Sequence, residues 1–195
     1  MRDGVYVDIG GQTGVDGSNT LFFEQHLGWT GIVIEPTACG TCVIPHTRPR
    51  DRVVHAAACA SSTVIEGSAF SGSAMNFCAA PYDSCVAKAP GGYSNYSTPC
   101  EPMRRLLLDG EGRLPPRIDF FSVDVEHHVM TVLQTIPFNE IDIDVLLVEA
   151  KRGTAKPPFN HEREAIALLR ANGYDILPCT FTGDLVAVKR ACVHD

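Results

Sequence analysis

Apolar residues along this chain gather into short runs, each followed by a turn and then by a segment of helical spacing. The first run, Val5-Tyr6-Val7-Asp8-Ile9, ends in a glycine turn, Gly10-Gly11-Gln12-Thr13-Gly14. Behind it, residues 18–27 carry Leu21, Phe22, Gln25 and His26 at helix-like intervals and stop at Gly28. A second strand is predicted over 31–35. Residues 36–44 could form a short helix, weakened by Gly40 and stopped by Pro45. A third strand follows over 53–57, and 61–66 could add a short one.

Residues 67–99 lose all periodicity and are rich in Gly, Ser, Ala, Pro and aromatics. A stretch of that length in a compact domain is commonly a functional lid or a disordered excursion, and Tyr82, Tyr93 and Tyr96 favour the lid. Regular spacing then resumes with a helix over 101–108, a strand over 118–124 and a helix over 128–136. A nearly all-apolar strand over 144–149 suits a position covered on both faces. A helix over 161–172 stops at Gly173, and strands 174–178 and 184–189 close the chain as a hairpin. Repeated strand–helix units predict an α/β, Rossmann-like, doubly wound sheet, mostly parallel with a C-terminal antiparallel hairpin. No linker or repeat divides the chain, so residues 1–195 read as one domain with an insertion at 67–99.

Composition narrows the partners. A formal net charge of -7 speaks against nucleic acid, which wants a basic face, and Arg48, Arg50 and Arg52 read as a solvated loop. No apolar run approaches the ~18 residues of a membrane span, and no secretion signal opens the chain, so a cytoplasmic location is expected. The eight cysteines are scattered and read as free thiols, because a chain of 195 residues can build its core without staples. Cys39 and Cys42 form one close pair with only His46 nearby, too few groups for a zinc site, and no metal is expected.

Candidate chemistry lies at the strand ends. Glycines after the first strand let a ligand approach the backbone, and Glu35 closes the second strand one unit later, where an acid can hold both hydroxyls of a ribose. Together they point to an adenosine-type cofactor. Asp8, Glu35, Asp124 and Glu149 all fall at strand ends, the edge at which open α/β sheets bind ligands. Glu126, His127 and His128 add proton-transfer groups to the same edge.

The run 4–10, the segment Gly17-Ser18-Asn19-Thr20 and the stretch 27–36 ending in Glu35-Pro36 resemble the opening of FkbM-type methyltransferases. Residues 118–126, with Asp124-Val125-Glu126, resemble that family's second signature, and the similarity runs from residue 4 to about 190. His127 and Val129 stand where the family has Gly and Glu. The resemblance implies a class I methyltransferase that uses S-adenosyl-L-methionine, often on a hydroxyl of a sugar or natural product. It assigns Asp8, Gly10, Gly11 and Gly14 to the cofactor loop, Ser18, Asn19 and Thr20 to its methionine side, and Glu35 and Pro36 to the ribose. Asp124 would face donor or acceptor, with Glu126, His127 or His128 as base. The implied partner is a small-molecule hydroxyl acceptor, with a homo-oligomer left open. The competing readings are a catalytically inactive methyltransferase-like scaffold, suggested by His127, and a nicotinamide oxidoreductase, disfavoured by Asp8.

Overall fold

In the computed structural model, β1 (Val5–Ile9) lies inside a seven-stranded sheet, hydrogen-bonded in parallel to a strand on either side. Residues 3–15, 17–70, 93–125, 128–149, 162–177 and 184–190 are described, with 39, 67–70 and 93–96 as backbone only. After β1 come α1 (Leu21–Leu27), β2 (Thr30–Glu35), α2 (Ala38–Thr47), β3 (Arg52–His55) and β4 (Ala57–Ala58). Next are β5 (Thr63–Phe70), β6 (Tyr93–Glu101), α3 (Met103–Leu107), β7 (Arg117–Val123) and α4 (Val129–Thr135). The chain continues through β8 (Asp142–Val148), α5 (Glu162–Ala171), β9 (Tyr174–Leu177) and β10 (Leu185–Lys189).

The sheet order is β3-β2-β1-β7-β8-β10-β9, and β10 alone runs against its neighbours. From β1 the chain first builds outward through β2 and β3, then returns to the other side of β1 with β7. That reversal opens a crevice at the carboxyl ends of β1 and β7. Both faces are covered, which is why the central strands carry apolar residues at consecutive positions. One face packs Val7, Ile9, Phe121, Val123 and Leu146 against α3, α4 and α5 through Leu107, Val132, Leu133, Ala165 and Leu169. The other holds Tyr6, Trp29, Val33 and Ile44, with Phe23 stacked on Trp29 at 4.7 Å between ring centroids.

Several elements depart from expectation. Helix α2 does not stop at Pro45 but runs through it to Thr47. The proline removes one donor, the one that would have reached the Thr41 carbonyl. The helix is secured at both ends instead: Thr37 Oγ1 accepts from the Gly40 amide, and the Arg48 amide donates to Ile44 O at 2.7 Å. Helix α1 begins at Leu21, three residues later than expected, and its buried residue is Glu24, while Phe22 is 60% exposed. Residues 101 and 102 belong to the end of β6 and a Pro102 cap, so α3 starts at Met103.

The insertion is the largest correction. Its two ends, 67–70 and 93–99, are regular: β5 and β6 pair antiparallel from Thr63 opposite Cys100 to Phe70 opposite Tyr93, and β4 adds to β6 in parallel. The rest of the expected insertion or lid, 71–92, lies outside the described residues. At the root of this arm Cys59 and Cys100 form a disulfide, and Cys42 is also disulfide-bonded. The free-thiol expectation therefore fails for all three. Among the described residues, no helix is long and apolar enough to cross a membrane.

The Cys59–Cys100 bridge spans 41 residues of chain. Loop-closure entropy for such a loop predicts that Cys100→Ala lowers the unfolding free energy by about 2–4 kcal/mol. Urea denaturation without reductant measures it. A midpoint unchanged from wild type would mean that the arm root is held by other contacts.

Candidate active site

The pairing register sets out the site before any side chain is considered. Ile9 lies level with Ile34 on one side and Val123 on the other, and Val123 with Val148. One step on, the ladder continues: Gly10 N donates to Ile34 O at 2.9 Å, Asp124 N to Ile9 O at 3.0 Å, and Glu149 N to Val123 O at 2.9 Å. Glu35, Gly10, Asp124 and Glu149 therefore stand in a row along one carboxyl edge. His55, level with Glu35 on β3, extends it. Gly10 has φ +86°, and a Cβ there would lie 1.9 Å from the Asp124 carbonyl oxygen. A Cβ on Gly11 would lie 2.3 Å from Val33 Cγ1. The turn is glycine because nothing larger fits between β2 and β7.

The expected ligand groups do not all face outward. Asp8 sits two residues behind the edge, level with Val33 and Ser122, and is 1% exposed. Its Oδ2 accepts from Ser18 Oγ and Thr20 Oγ1, each at 2.8 Å. Asn19 Nδ2 donates to Ser122 Oγ at 3.1 Å. Ser18, Asn19 and Thr20 thus tie the start of α1 to β1 and β7, and that is why α1 begins only at Leu21. Burial pushes the Asp8 carboxyl above the usual range, while the two hydroxyls and Arg48 oppose the shift.

Glu35 is also turned inward, 4% exposed. Its Oε2 accepts from the Gln12 amide at 3.1 Å, and its Oε1 from the Thr37 amide at 2.9 Å and the Thr37 hydroxyl at 2.6 Å. It joins the glycine loop to the start of α2, leaving about one of its roughly four acceptor positions for a ligand. Burial raises its pKa as well, opposed by those three donors. The Pro36 carbonyl faces His55 Nε2 at 3.1 Å.

Sequence reasoning missed the group beneath the loop. Arg48, read as a solvated loop residue, is fully buried and is the largest side chain with no exposure. Its Nη1 donates to Gly14 O at 2.9 Å and Ser18 Oγ at 3.1 Å, and its Nη2 to Thr20 Oγ1 at 3.0 Å and Tyr6 Oη at 2.5 Å. It pairs with Glu24 at 3.1 Å and Asp51 at 3.0 Å. The Tyr6 hydroxyl donates to Asp51 at 2.5 Å, and burial together with that bond pushes the phenol far above its ordinary pKa. The other two arginines are structural too: Arg50 donates to the Glu24 carbonyl, and Arg52 to the carbonyls of Leu106 and Leu108. The burial of Glu24 within a polar stretch of α1 is explained by Arg48.

Asp124 is half-buried on the row. His128 is exposed at the N-terminal cap of α4, its amide donating to Val125 O at 3.1 Å. Glu126 and His127 lie outside the described residues. Among the described residues, no three His, Cys, Asp or Glu side chains cluster as a metal site.

The domain model described as "Methyltransferase FkbM domain" matches residues 8–176, from the glycine loop to β9. The chain belongs to the FkbM methyltransferase family. The FkbM methyltransferase of Methylobacillus flagellatus KT superposes with a TM-score of 0.54 at 13% identity, over 95% of this chain and 43% of its own. The pyocyanin biosynthetic protein PhzM gives 0.48 at 12%, over 96% and 51%. A 1,6-didemethyltoxoflavin-N1-methyltransferase of Burkholderia thailandensis, solved with 1,6-didemethyltoxoflavin and S-adenosylhomocysteine, gives 0.48 at 16%, over 96% and 72%. At these identities the likeness is one of fold. This FkbM-family chain spans about half the length of the first two structures. No curated protein matches it.

The buried acids set a pH dependence. Asp8 and Glu35 have folded-state pKa values raised above their unfolded ones. Their contribution to stability is therefore full below the ordinary carboxylate range and is lost as pH rises through the folded-state values. Asp8→Asn removes its share, so the alkaline-going decline of the urea midpoint becomes shallower. An identical slope in wild type and variant would show that Asp8 is not raised. Gly10→Ala, with its collision at Asp124, should lose about 2–4 kcal/mol in the same titration.

Proposed function

We propose that this chain transfers the methyl group of S-adenosyl-L-methionine to a hydroxyl group of a sugar or small natural product, with the reacting groups held along the row Glu35, Gly10, Asp124 and Glu149. The observation that carries this reading is the close approach of the glycine turn to the Asp124 backbone, which sets the loop directly beside that acid on the edge. The residues suit S-adenosyl-L-methionine. The described row carries carboxylates and no lysine or arginine, and a sulfonium favours such an edge. The loop beside it is glycine where a Cβ would collide.

The donor supplies an already activated methyl group, so alignment is the main task left to the protein. In this proposal Gly10, Gly11 and Gly14 bring the backbone close to it, and Glu35 offers its remaining acceptor position to the ribose. Pro36 borders the same corner. Asp8, Ser18, Asn19 and Thr20 act from beneath, by fixing the loop. Asp124 takes the proton from the acceptor hydroxyl, with Glu126, His127 and His128 as the other candidates for that step.

The test begins with S-adenosylhomocysteine. At a hundred times its dissociation constant, a ligand bound only by the folded state adds about 2.7 kcal/mol, so a clear upward thermal shift is expected. Labelled S-adenosyl-L-methionine offered with hydroxyl, amine and thiol acceptors should then label the hydroxyl compounds. Asp124→Asn should lower kcat by about 10²- to 10⁴-fold. Labelling of amines alone would overturn the oxygen preference, and absence of any homocysteine-adduct binding would favour the scaffold reading.

A further inference from the structure

We propose that Arg48 is a positioning residue for the cofactor loop: it holds residues 12–18 in their binding shape and sets the affinity for S-adenosyl-L-methionine without touching it. This rests on the reading that the glycine loop receives the donor.

The loop cannot hold its shape alone. Gly10, Gln12, Gly14 and Gly17 all have positive φ, at +86°, +47°, +77° and +74°. Gln12 is not glycine, so its left-handed backbone carries strain that persists only where the surroundings impose it. Among the described residues, bonds within the loop are few: Gly14 N donates to Gly11 O at 2.7 Å, Ser18 N to Val15 O at 3.4 Å and Val15 N to Thr13 Oγ1 at 3.4 Å. Further constraints come from outside, and most converge on the end of α2. Arg48 takes the Gly14 carbonyl and the Ser18 hydroxyl, and Thr47 Oγ1 donates to Thr13 O at 2.8 Å. A Cβ on Gly14 would lie 2.8 Å from Arg48 Cγ and 2.9 Å from Thr47 Oγ1, so the loop rests directly on these two side chains.

The guanidinium is fixed in turn. Glu24 of α1, Asp51 ahead of β3 and Tyr6 of β1 surround it, and Thr20 links it to Asp8. Five donors in a rigid plane can serve Gly14, Ser18, Thr20 and Tyr6 together, whereas a lysine ammonium has three and no fork. Without the fork the loop samples other shapes, and the ordering falls to the moment of binding. Loss of Arg48 thus weakens binding and leaves the chemistry of the bound state intact.

The experiment compares wild type, Arg48→Lys, Thr47→Val and Leu169→Ala, the last a core variant of α5 remote from the loop. Backbone hydrogen exchange without ligand should quicken over residues 12–18 in Arg48→Lys and, less, in Thr47→Val, but not in Leu169→Ala. The dissociation constant for S-adenosylhomocysteine and the KM for S-adenosyl-L-methionine should rise about 10- to 100-fold in Arg48→Lys, with kcat at saturation within about threefold. Leu169→Ala should lose stability and keep its affinity. Equal exchange and equal affinity in Arg48→Lys and wild type would overturn the inference alone. Faster loop exchange in a protein whose wild type ignores S-adenosylhomocysteine would support the loop clamp and refute the cofactor reading. A fall in kcat with KM unchanged would also overturn the inference, because it would place Arg48 in the chemistry.

Discussion

A guanidinium withdrawn from water must find nearly all its partners inside the protein, and few side chains constrain their surroundings so tightly. Arg48 is fully buried, and its partners come from β1, α1, the glycine loop and the turn before β3. Asp51 extends the cluster to β2 by accepting from the Gly31 amide at 2.9 Å. The carboxylates outnumber the guanidinium, and Arg50 shares Glu24 at 3.4 Å from the outer side. Such a cluster is a weak source of net stability, since an apolar core of equal volume often does as well. What it confers is a single geometry. Tyr6, Glu24, Asp51 and the loop carbonyl can meet around one planar group in few ways, and the loop takes its shape from that meeting.

That foundation divides the acids into two kinds. Two residues of register separate Asp8, whose carboxylate accepts from the hydroxyls of Ser18 and Thr20, from Gly10 and Asp124 on the edge. Glu35 lies at the edge in register yet turns its carboxylate inward to Gln12 and Thr37. Their raised pKa values have the same origin, burial only partly offset by the hydroxyl and amide donors around them and by Arg48 near Asp8 and His55 near Glu35.

Much of this could be read from the chain. The sheet was legible because β1, β2, β7 and β8 are covered on both faces and therefore nearly continuous in apolar residues, and α5 because Ala165 and Leu169 recur on one face. The glycine turn was legible for a steric reason that the Gly10–Asp124 contact makes plain. Arg48 was not, because Arg48-Pro49-Arg50-Asp51-Arg52 has the composition of a surface loop, and apart from Asp51 its side-chain partners lie 24 to 42 residues away. Nor was the β5–β6 arm: serine, glycine and asparagine in a two-stranded ribbon show no core-facing alternation, and its stability rests on pairing and on Cys59–Cys100. Helix α2 passes Pro45 because tertiary contacts at Thr47 and Arg48 outweigh one missing hydrogen bond.

The arm belongs in the same physical picture. Strand β3 runs parallel to β1, so its end at His55 is on the edge that carries Asp124, and the arm leaves the sheet immediately after it at Ala57. Its return strand passes through Cys100 and Glu101 into α3, whose Met103 amide donates to Thr135 Oγ1 of α4 at 3.3 Å. The root is therefore bound at both ends to the framework that supports the row, and the disulfide closes it across one point. A two-stranded ribbon has no core of its own and is marginal in water, so it needs such a root to keep a direction. The glycine-loop side of the edge is fixed by buried charge and the root of the arm beside it by a covalent bond.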